Sequence, residues 1–341
     1  MVIKYGHMFR DRKGDDYLFI NNLAQGSFQL AQRVLHLRTG RVVVRKMCIS
    51  GRYKDNNENW DAGLAAQLKR TEWASIEGVE PPRFARLISA RPSAVDSFWE
   101  LYNCGSIVDI EEMCVMQRVL MSPGFLMRYV GQVLSSLVHL YSMPFDVVHN
   151  DLDFRNVWVH LPAQGPPDFY IGDFGEALID LKPGNGNHCA DIRRFNSFFA
   201  TLDQDRTLRG SPSSTDRWNL LALKEIVNKL HEQCVSEIPF EAGTVKDLIP
   251  FLKTAIASVS QLEAAHSSAG KPVLEPEFGR LLKQRTQAVI PPKNGYWQGQ
   301  PLLHGTMQEI KMASGIRGPW YMAEVDPWSQ HVSNIGRDTR G

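Results

Sequence analysis

Three polar side chains at fixed spacing carry the chemistry of this sequence. Asp151 follows His149 by two positions, Asn156 comes five residues after Asp151, and Asp173 stands directly before a Phe-Gly pair. A short apolar run follows the first group and another precedes the second, which predicts a hairpin between them. Either group alone is a weak signal, because a loop acid that caps a helix, or an ordinary turn, would look the same. Together and in this order, they predict three polar side chains around one site.

The two groups resemble the catalytic loop and the metal-binding motif of the eukaryotic protein kinases. The resemblance implies that Asp151 orients and deprotonates the attacking hydroxyl group, and that Asn156 and Asp173 hold magnesium ions. It also implies ATP as the phosphate donor, Mg²⁺ as the cofactor, and an unknown protein or small molecule as the acceptor. Asp191 begins a run that looks like the buried helix whose aspartate braces the catalytic loop in this family.

The elements that should position the phosphates lie upstream in the expected order. Residues 23–31 resemble the glycine-rich loop that covers the phosphates, with only its middle glycine, Gly26, kept. After a hairpin turn, a third strand bears Lys46, which the resemblance makes the ligand of the α- and β-phosphates. A helix predicted over 60–76 carries Glu72, which would pair with Lys46 and orient it. The plain alternative is an exposed helical glutamate.

The adenine site implied by the resemblance is crowded. Residues 98–106 resemble the hinge between the two lobes of a kinase, whose backbone binds the base. Val44 stands where a smaller alanine is usual, and Trp158 stands where a leucine usually supports the base. The indole would hinder nucleotide binding if it filled the adenine slot, or it could lie in the hydrophobic core instead. Besides Gly26 and Lys46, the residues predicted to line the ATP site are Ala31, Val44, Glu100, Tyr102 and Trp158.

Other departures from the family pattern concern charge and regulation. Asp153 stands where kinases carry a catalytic-loop lysine, and losing that cation should slow phosphate transfer unless another cation replaces it. Arg155 is the predicted replacement, with a surface ion pair to Asp153 as its alternative role. Asn150 replaces the arginine that would receive an activation-loop phosphate. Only fifteen residues separate Gly175 from Asp191, none of them Ser, Thr or Tyr, so a switch by loop phosphorylation is predicted to be absent.

Composition agrees with this interpretation without proving it. The 341 residues suffice for one two-lobed domain or two ordinary domains, and 43% hydrophobic residues can form a substantial core. A formal charge of +1 gives no case for nucleic acid or an anionic membrane as the main partner. The five scattered cysteines lack zinc spacing and predict free thiols in a reducing compartment. No apolar run reaches the length of a signal peptide or membrane span, so a cytoplasmic or nuclear protein is expected.

The predicted fold class is α+β, with a bilobal protein-kinase-like architecture. The domain is predicted over 17–311, with a small lobe of antiparallel sheet plus one helix over about 17–102. A larger, mainly helical lobe follows over about 105–311, and residues 312–341 form a tail. Helices are predicted over 125–141, 216–235 and 245–265.

The sequence therefore predicts an ATP- and Mg²⁺-dependent phosphotransferase similar to the Ser/Thr protein kinases, with a shortened activation segment. Two alternatives remain open. One is a pseudokinase or scaffold that keeps the fold for binding. The other is a small-molecule kinase of the aminoglycoside or choline phosphotransferase type, which shares the catalytic-loop pattern but lacks the peptide-docking shelf.

Overall fold

The computed structural model shows a mixed α and β chain whose described residues fall into two compact units. The first unit draws on Met1–Ala62, Arg86–Leu101 and Gln287–Gly341, and the second on Gly63–Ala85 and Tyr102–Thr286. Residues 63–85, expected with the sheet, thus belong to the second unit. The predicted tail over 312–341 lies outside the described residues. The structure describes residues 8–10, 15–25, 29–36, 39, 41–48, 60–90, 96–179, 187–202, 214–238, 243–289, 296–297 and 300–301.

The first unit is built on an antiparallel six-stranded sheet with the strand order β1-β2-β3-β4-β6-β5. Alternate residues of a strand point to one face, and here they form a small core of Tyr17, Phe19, Val34, Val43 and Phe98. The predicted antiparallel sheet is thus present. Its strands are β1 (Met8–Arg10), β2 (Asp16–Gln25), β3 (Gln29–His36), β4 (Arg41–Cys48), β5 (Leu87–Ala90) and β6 (Asp96–Glu100).

Helix α1 (Trp60–Arg70) is shorter than the predicted helix over 60–76. Basic residues in its last turn, Lys69 and Arg70, favour a helix end there, because the carboxyl end of a helix is partially negative. The hydroxyl of Thr71 donates to the carbonyl of Gln67 at 2.9 Å and satisfies one of the last carbonyls.

The second unit is mainly helical, and its strands are short. None of the helices in the described part of the chain is long and apolar enough to cross a bilayer. The strands form two small sheets, β10-β9-β7 and β11-β8. These strands are β7 (Gly105–Ser106), β8 (Val147–Val148), β9 (Val157–His160), β10 (Asp168–Ile171) and β11 (Leu178–Ile179). The helices are α2 (Ile107–Gln117), α3 (Pro123–Tyr141), α4 (Ala190–Leu202), α5 (Ser214–Ser236), α6 (Ile249–Ser268) and α7 (Pro276–Val289).

The three helices predicted downstream are all present within a few residues of their expected bounds. The predicted helix over 125–141 corresponds to α3, the one over 216–235 to α5, and the one over 245–265 to a 3₁₀ turn followed by α6. A separate short ribbon pairs β12 (Tyr296–Trp297) with β13 (Gln300–Pro301).

Helix α3 forms the centre of the second unit. Almost all of its side chains are buried, which is typical of a helix surrounded by its own domain. It begins at Pro123, and the hydroxyl of the preceding Ser122 donates to the carbonyl of Val273 at 2.7 Å instead of capping the helix. The Gln132 amide oxygen accepts a bond from the backbone N–H of Phe169 at 3.0 Å. Helix α3 thereby fixes strand β10.

Four cysteines of the described residues are buried free thiols, in agreement with the sequence: Cys104, Cys114, Cys189 and Cys234. Burial raises the pKa of Cys104, Cys114 and Cys234 to about 12. These thiols therefore stay protonated and behave as small apolar side chains.

Candidate active site

The predicted hairpin between the two sequence groups is present in the second unit. Strands β9 and β10 pair so that Val157 lies opposite Ile171. Asn156 directly precedes the first of these residues, and Gly172 directly follows the second. The backbone N–H of Gly172 donates to the Asn156 carbonyl at 2.9 Å, so the hairpin places Asn156 next to the residue before Asp173.

Asp191 braces the catalytic loop, as predicted. Its buried carboxylate, on the first turn of α4, accepts bonds from the backbone N–H groups of His149 at 2.9 Å and Asn150 at 2.7 Å. The Tyr141 hydroxyl donates to it at 2.9 Å. Burial raises the pKa of the Asp191 carboxyl, and these hydrogen bonds oppose that rise. Three donors thus compensate one buried acid and hold the start of the loop.

His149 connects the two sequence groups through both of its ring nitrogens. Its Nδ1 accepts a bond from the Asp151 backbone N–H at 3.3 Å, and its Nε2 lies 3.0 Å from the Gly172 carbonyl oxygen. A carbonyl can only accept, so the tautomer with hydrogen on Nε2 satisfies both bonds. The ring also packs against buried Phe174, with centroids 4.8 Å apart. His149 therefore fixes the position of Asp151 relative to the backbone before Asp173.

Asp151 and Asn156 are in direct contact. The Asn156 amide nitrogen donates to the Asp151 carboxylate at 2.9 Å and to the Asp151 carbonyl at 2.7 Å. Both amide hydrogens are thus directed at Asp151, which turns the amide oxygen of Asn156 the other way. Asp173 adopts a left-handed backbone conformation, with φ of 64°. Such a conformation is uncommon for a residue other than glycine and is concentrated at functional sites.

Asn156 and Asp173 supply oxygen donors of the kind that magnesium prefers. The described residues contain no group of three or more His, Cys, Asp and Glu side chains that could hold a metal ion. Mg²⁺ is usually bound through one or two carboxylates together with substrate phosphates and water, so it does not need a protein cluster of that size.

Arg155, the predicted replacement for the missing lysine, is engaged elsewhere. Its guanidinium binds the Asp153 carboxylate through two bonds, at 2.8 and 3.2 Å, and its backbone N–H donates to the same carboxylate at 3.0 Å. Burial alone would raise the pKa of Asp153, but its bonds to Arg155, together with the charges of Arg155 and Arg194, lower it. The structure thus shows the ion pair with Asp153 that was the alternative role of Arg155, and its catalytic role stays a prediction.

Arg194 is a site residue that the sequence prediction missed. Its Nη1 lies 2.5 Å from the Asp151 carboxylate, on the oxygen that Asn156 does not bind. It lies three residues after Asp191 on α4, and residues at this spacing share one helix face. A helix that directs Asp191 at the loop also directs the residue three positions later towards it, so the spacing of Asp191 and Arg194 is a sequence signal for this contact.

In the first unit, Lys46 pairs with Asp61. Its ammonium lies 2.8 Å from the Asp61 carboxylate and 4.9 Å from the centre of the Trp99 ring. Both charged side chains are nearly buried, at 12% and 7% exposure. Glu72 is exposed and follows the end of α1, whereas the prediction placed it within that helix. Its pairing with Lys46 stays a prediction.

The remaining predicted ATP-site residues of the first unit lie on the sheet. Ala31 and Val44 are half-buried, and Ala31 lies opposite Lys46 across β3 and β4. The Glu100 side chain binds Arg41 at 3.1 Å, and its backbone N–H donates to the Arg86 carbonyl at 2.9 Å. That backbone N–H is therefore already used within the sheet and does not fit an adenine donor. Gly26, predicted to cover the phosphates, lies outside the described residues.

Trp158 and Tyr102 lie in the second unit. Trp158 is half-buried on β9, with its indole nitrogen beside Gly172. The Tyr102 ring stacks on Tyr170 at 4.4 Å, and its carbonyl accepts a bond from the Gly105 N–H at 3.3 Å. Gly105 has φ of +79°, a backbone conformation that glycine adopts without steric cost.

The segment after Asp173 is attached to the catalytic loop through Asn150. This residue also has a positive φ, 60°, and its side-chain amide donates to the Glu176 carbonyl at 3.1 Å. Asparagine tolerates this backbone region better than most residues. Residues 180–186, part of the segment predicted to be too short for an activation loop, lie outside the described residues.

Comparison with known proteins gives no relative: the chain matches no family model, and no curated protein matches it.

In the second unit, the described residues thus place a fixed acid, Asp151, beside an amide, Asn156, and put Asp173 in a left-handed backbone conformation after the hairpin. A carboxylate such as that of Asp151 can accept a hydrogen bond or a proton from a hydroxyl, and the side-chain oxygens of Asn156 and Asp173 are of the type that binds a hard cation. In the first unit, Lys46 is held in an ion pair of its own.

Proposed function

We propose that this chain is an ATP- and Mg²⁺-dependent phosphotransferase with a bilobal protein-kinase-like fold. The observation that carries the proposal is the frame around Asp151. Asp191 and His149 hold the loop backbone, and Asn156 holds the carboxylate. Such a frame keeps a catalytic acid within hydrogen-bond reach of a substrate hydroxyl, which is the geometric requirement for general base catalysis.

Each residue then has a defined role. Asp151 orients the acceptor hydroxyl and receives its proton, and Asn156 with Asp173 would hold the magnesium ion. When bound, magnesium neutralises charge that develops on the phosphates. Lys46 binds the α- and β-phosphates, and Asp61 keeps its ammonium in place. The acceptor is a protein hydroxyl or a small molecule, and the buried free thiols favour a cytoplasmic or nuclear location.

A pseudokinase that binds a partner without catalysis is the second candidate, and Trp158 is the observation that favours it. A half-buried indole on β9 takes the place of the leucine expected there. If it blocks the base, nucleotide will not bind whatever the state of Asp151.

Binding and turnover of MgATP by the full-length protein test the proposal. We expect ATP to raise the melting temperature only with magnesium, and Asp173→Asn to abolish that dependence. Asp151→Asn should retain MgATP binding but lower turnover by roughly 10²-fold or more, the usual contribution of a positioned base. An unchanged melting temperature at saturating MgATP would reject the phosphotransferase and favour the pseudokinase.

A further inference from the structure

Asp153 leaves the proposed reaction without the usual cation of the catalytic loop, and Arg155 is engaged by Asp153 itself. We propose that Arg194, on helix α4, supplies this cation and is a catalytic residue of the phosphate transfer. This inference rests on the proposed phosphotransferase function and adds to it a residue outside the catalytic loop.

The first step of the argument is position. Arg194 binds one oxygen of the Asp151 carboxylate at 2.5 Å, and Asn156 binds the other at 2.9 Å. A hydroxyl that donates to this carboxylate must lie about 3 Å from one of the same two oxygens. The oxygen that attacks the γ-phosphate, and the phosphoryl group it receives, therefore come next to the Arg194 guanidinium.

The second step is donor capacity. A guanidinium carries five N–H groups in a planar fork, and the bond to Asp151 is made by Nη1. The Arg194 side chain is 48% exposed, so its outer edge is open to a substrate. A planar fork of this kind suits the oxygens of a phosphoryl group, which it can bind in a bidentate manner.

The third step separates Arg194 from its neighbour. Arg193 is also exposed on α4, but its charge acts on His188 and Cys189 on the other side of Asp191. It has the same side chain and nearly the same place in sequence without the contact to Asp151. Arg193 is therefore a matched control.

The transfer step is balanced as follows. A bond forms between the acceptor oxygen and the γ-phosphorus, and the bond from that phosphorus to the bridging oxygen of ADP breaks. The hydroxyl proton passes to Asp151, and ADP leaves with the electron pair of the broken bond. Arg194 stays protonated throughout and stabilises the negative charge on the oxygens of the transferred group.

The test compares Arg194→Gln, Arg194→Lys and Arg193→Gln with the wild type, using the full-length protein and MgATP turnover measured as ADP release. For Arg194→Gln we expect kcat to fall roughly 10²-fold, as when one preorganised donor to a developing negative charge is removed. The KM for MgATP and the melting temperature should not change. Arg194→Lys should recover part of kcat, and Arg193→Gln should keep all of it.

Several outcomes would overturn the role of Arg194. They are an unchanged kcat in Arg194→Gln, a raised kcat, which would mean that the ion pair restrains Asp151, or an equal loss in Arg193→Gln. If Arg194→Gln does not fold, Arg194→Lys is the variant that tests the proposal. A several-fold loss of kcat at constant KM in Arg194→Lys supports the proposal, and a wild-type kcat rejects it. A wild type that binds MgATP but never turns it over refutes the phosphotransferase itself, whereas wild-type turnover that is insensitive to Arg194 refutes only this inference.

Discussion

At the residue scale, the indole of Trp158 lies against Gly172, in space that a side chain on residue 172 would occupy. A Cβ atom on residue 172 would lie 2.9 Å from the Trp158 indole nitrogen and 2.6 Å from the Ala85 Cβ. Both distances are shorter than carbon and nitrogen atoms tolerate. A large side chain on β9 is therefore accommodated because the residue before Asp173 has none.

This complementarity predicts that Gly172→Ala destabilises the protein by about 1–3 kcal/mol, the usual cost of overpacking. In a Trp158→Leu background the cost should be smaller but not zero, since the collision with Ala85 remains. A double-mutant cycle from urea unfolding measures the coupling. Gly63→Ala is the control, because nothing lies within 4 Å of its added methyl group and a helical alanine should stabilise by up to about 1 kcal/mol. Equal costs of Gly172→Ala in both backgrounds would contradict the pairing.

The pair of Lys46 with Asp61 gives a second prediction at this scale. Lys46→Met removes the cation from a nearly buried acid and should lower the free energy of unfolding by about 3–5 kcal/mol. Adding Asp61→Asn should restore part of that loss, because a neutral amide is cheaper to bury. Glu72→Gln, on an exposed residue, should stay within about 0.5 kcal/mol of the wild type. Urea unfolding measures all three changes. If Glu72→Gln, and not Asp61→Asn, restored stability to the Lys46→Met protein, the result would favour the predicted pairing of Lys46 with Glu72.

At the element scale, one face of α4 contacts the loop over residues 149–156. Asp191 binds the loop backbone, Arg194 binds the Asp151 carboxylate, and Phe198 packs on Phe154 with ring centroids 4.2 Å apart. These residues are three and four positions apart, which places them along one side of the helix. The loop has little regular structure of its own, so its shape depends on this helix.

Local patterns predicted elements well, and pairings across the chain poorly. The run of apolar residues from Phe125 predicted α3, and the two short apolar runs predicted the hairpin that sets Asn156 beside Gly172, because both signals are local. The contacts of Asp61 with Lys46 and of Arg194 with Asp151 were not predicted, because each joins residues that are distant in sequence. Such a contact depends on which side of helix α1 or α4 faces the partner, and the local sequence does not specify that.

Helix α3 also gives a prediction about pH through His139. This buried residue contacts the Glu80 carbonyl through Nε2 at 3.1 Å, and burial lowers its pKa below the ordinary 6.5, partly opposed by that bond. The unfolded chain then binds the proton more readily, so stability is full above pH 6.5 and falls as pH drops towards the lowered pKa. His139→Gln should reduce this loss, since the amide can donate to the same carbonyl without titrating. Urea unfolding between pH 7 and pH 5 measures it, and identical pH dependence in both proteins would exclude His139 as the cause.

At the scale of the whole molecule, each unit orders by itself the residues that the proposal assigns to it. The first unit holds Lys46 by an ion pair and an aromatic ring, and the second holds Asp151 by Asn156 and Arg194. Each of these contacts joins residues of the same unit, and all of them are made by unmodified side chains. Lys46 and Asp151 are therefore held in place without a phosphorylated residue. A kinase switched by loop phosphorylation differs, because there the phosphate orders the site through new bonds to a cation.

The last prediction is therefore that activity does not depend on phosphorylation of the segment between Gly175 and Asp191. That segment contains no hydroxyl side chain, and Asn150 offers no cation to receive a phosphate. Phosphatase treatment of the purified protein should leave MgATP turnover unchanged. Asn150→Arg should create no phosphate response and should lower stability by about 1–2 kcal/mol, because arginine tolerates the left-handed backbone less well and loses the bond to Glu176. Asn150→Gly keeps the backbone conformation and serves as the control. A large loss of turnover after dephosphorylation, traced to a site that contacts Asn150 or residues 176–190, would show that a switch exists after all.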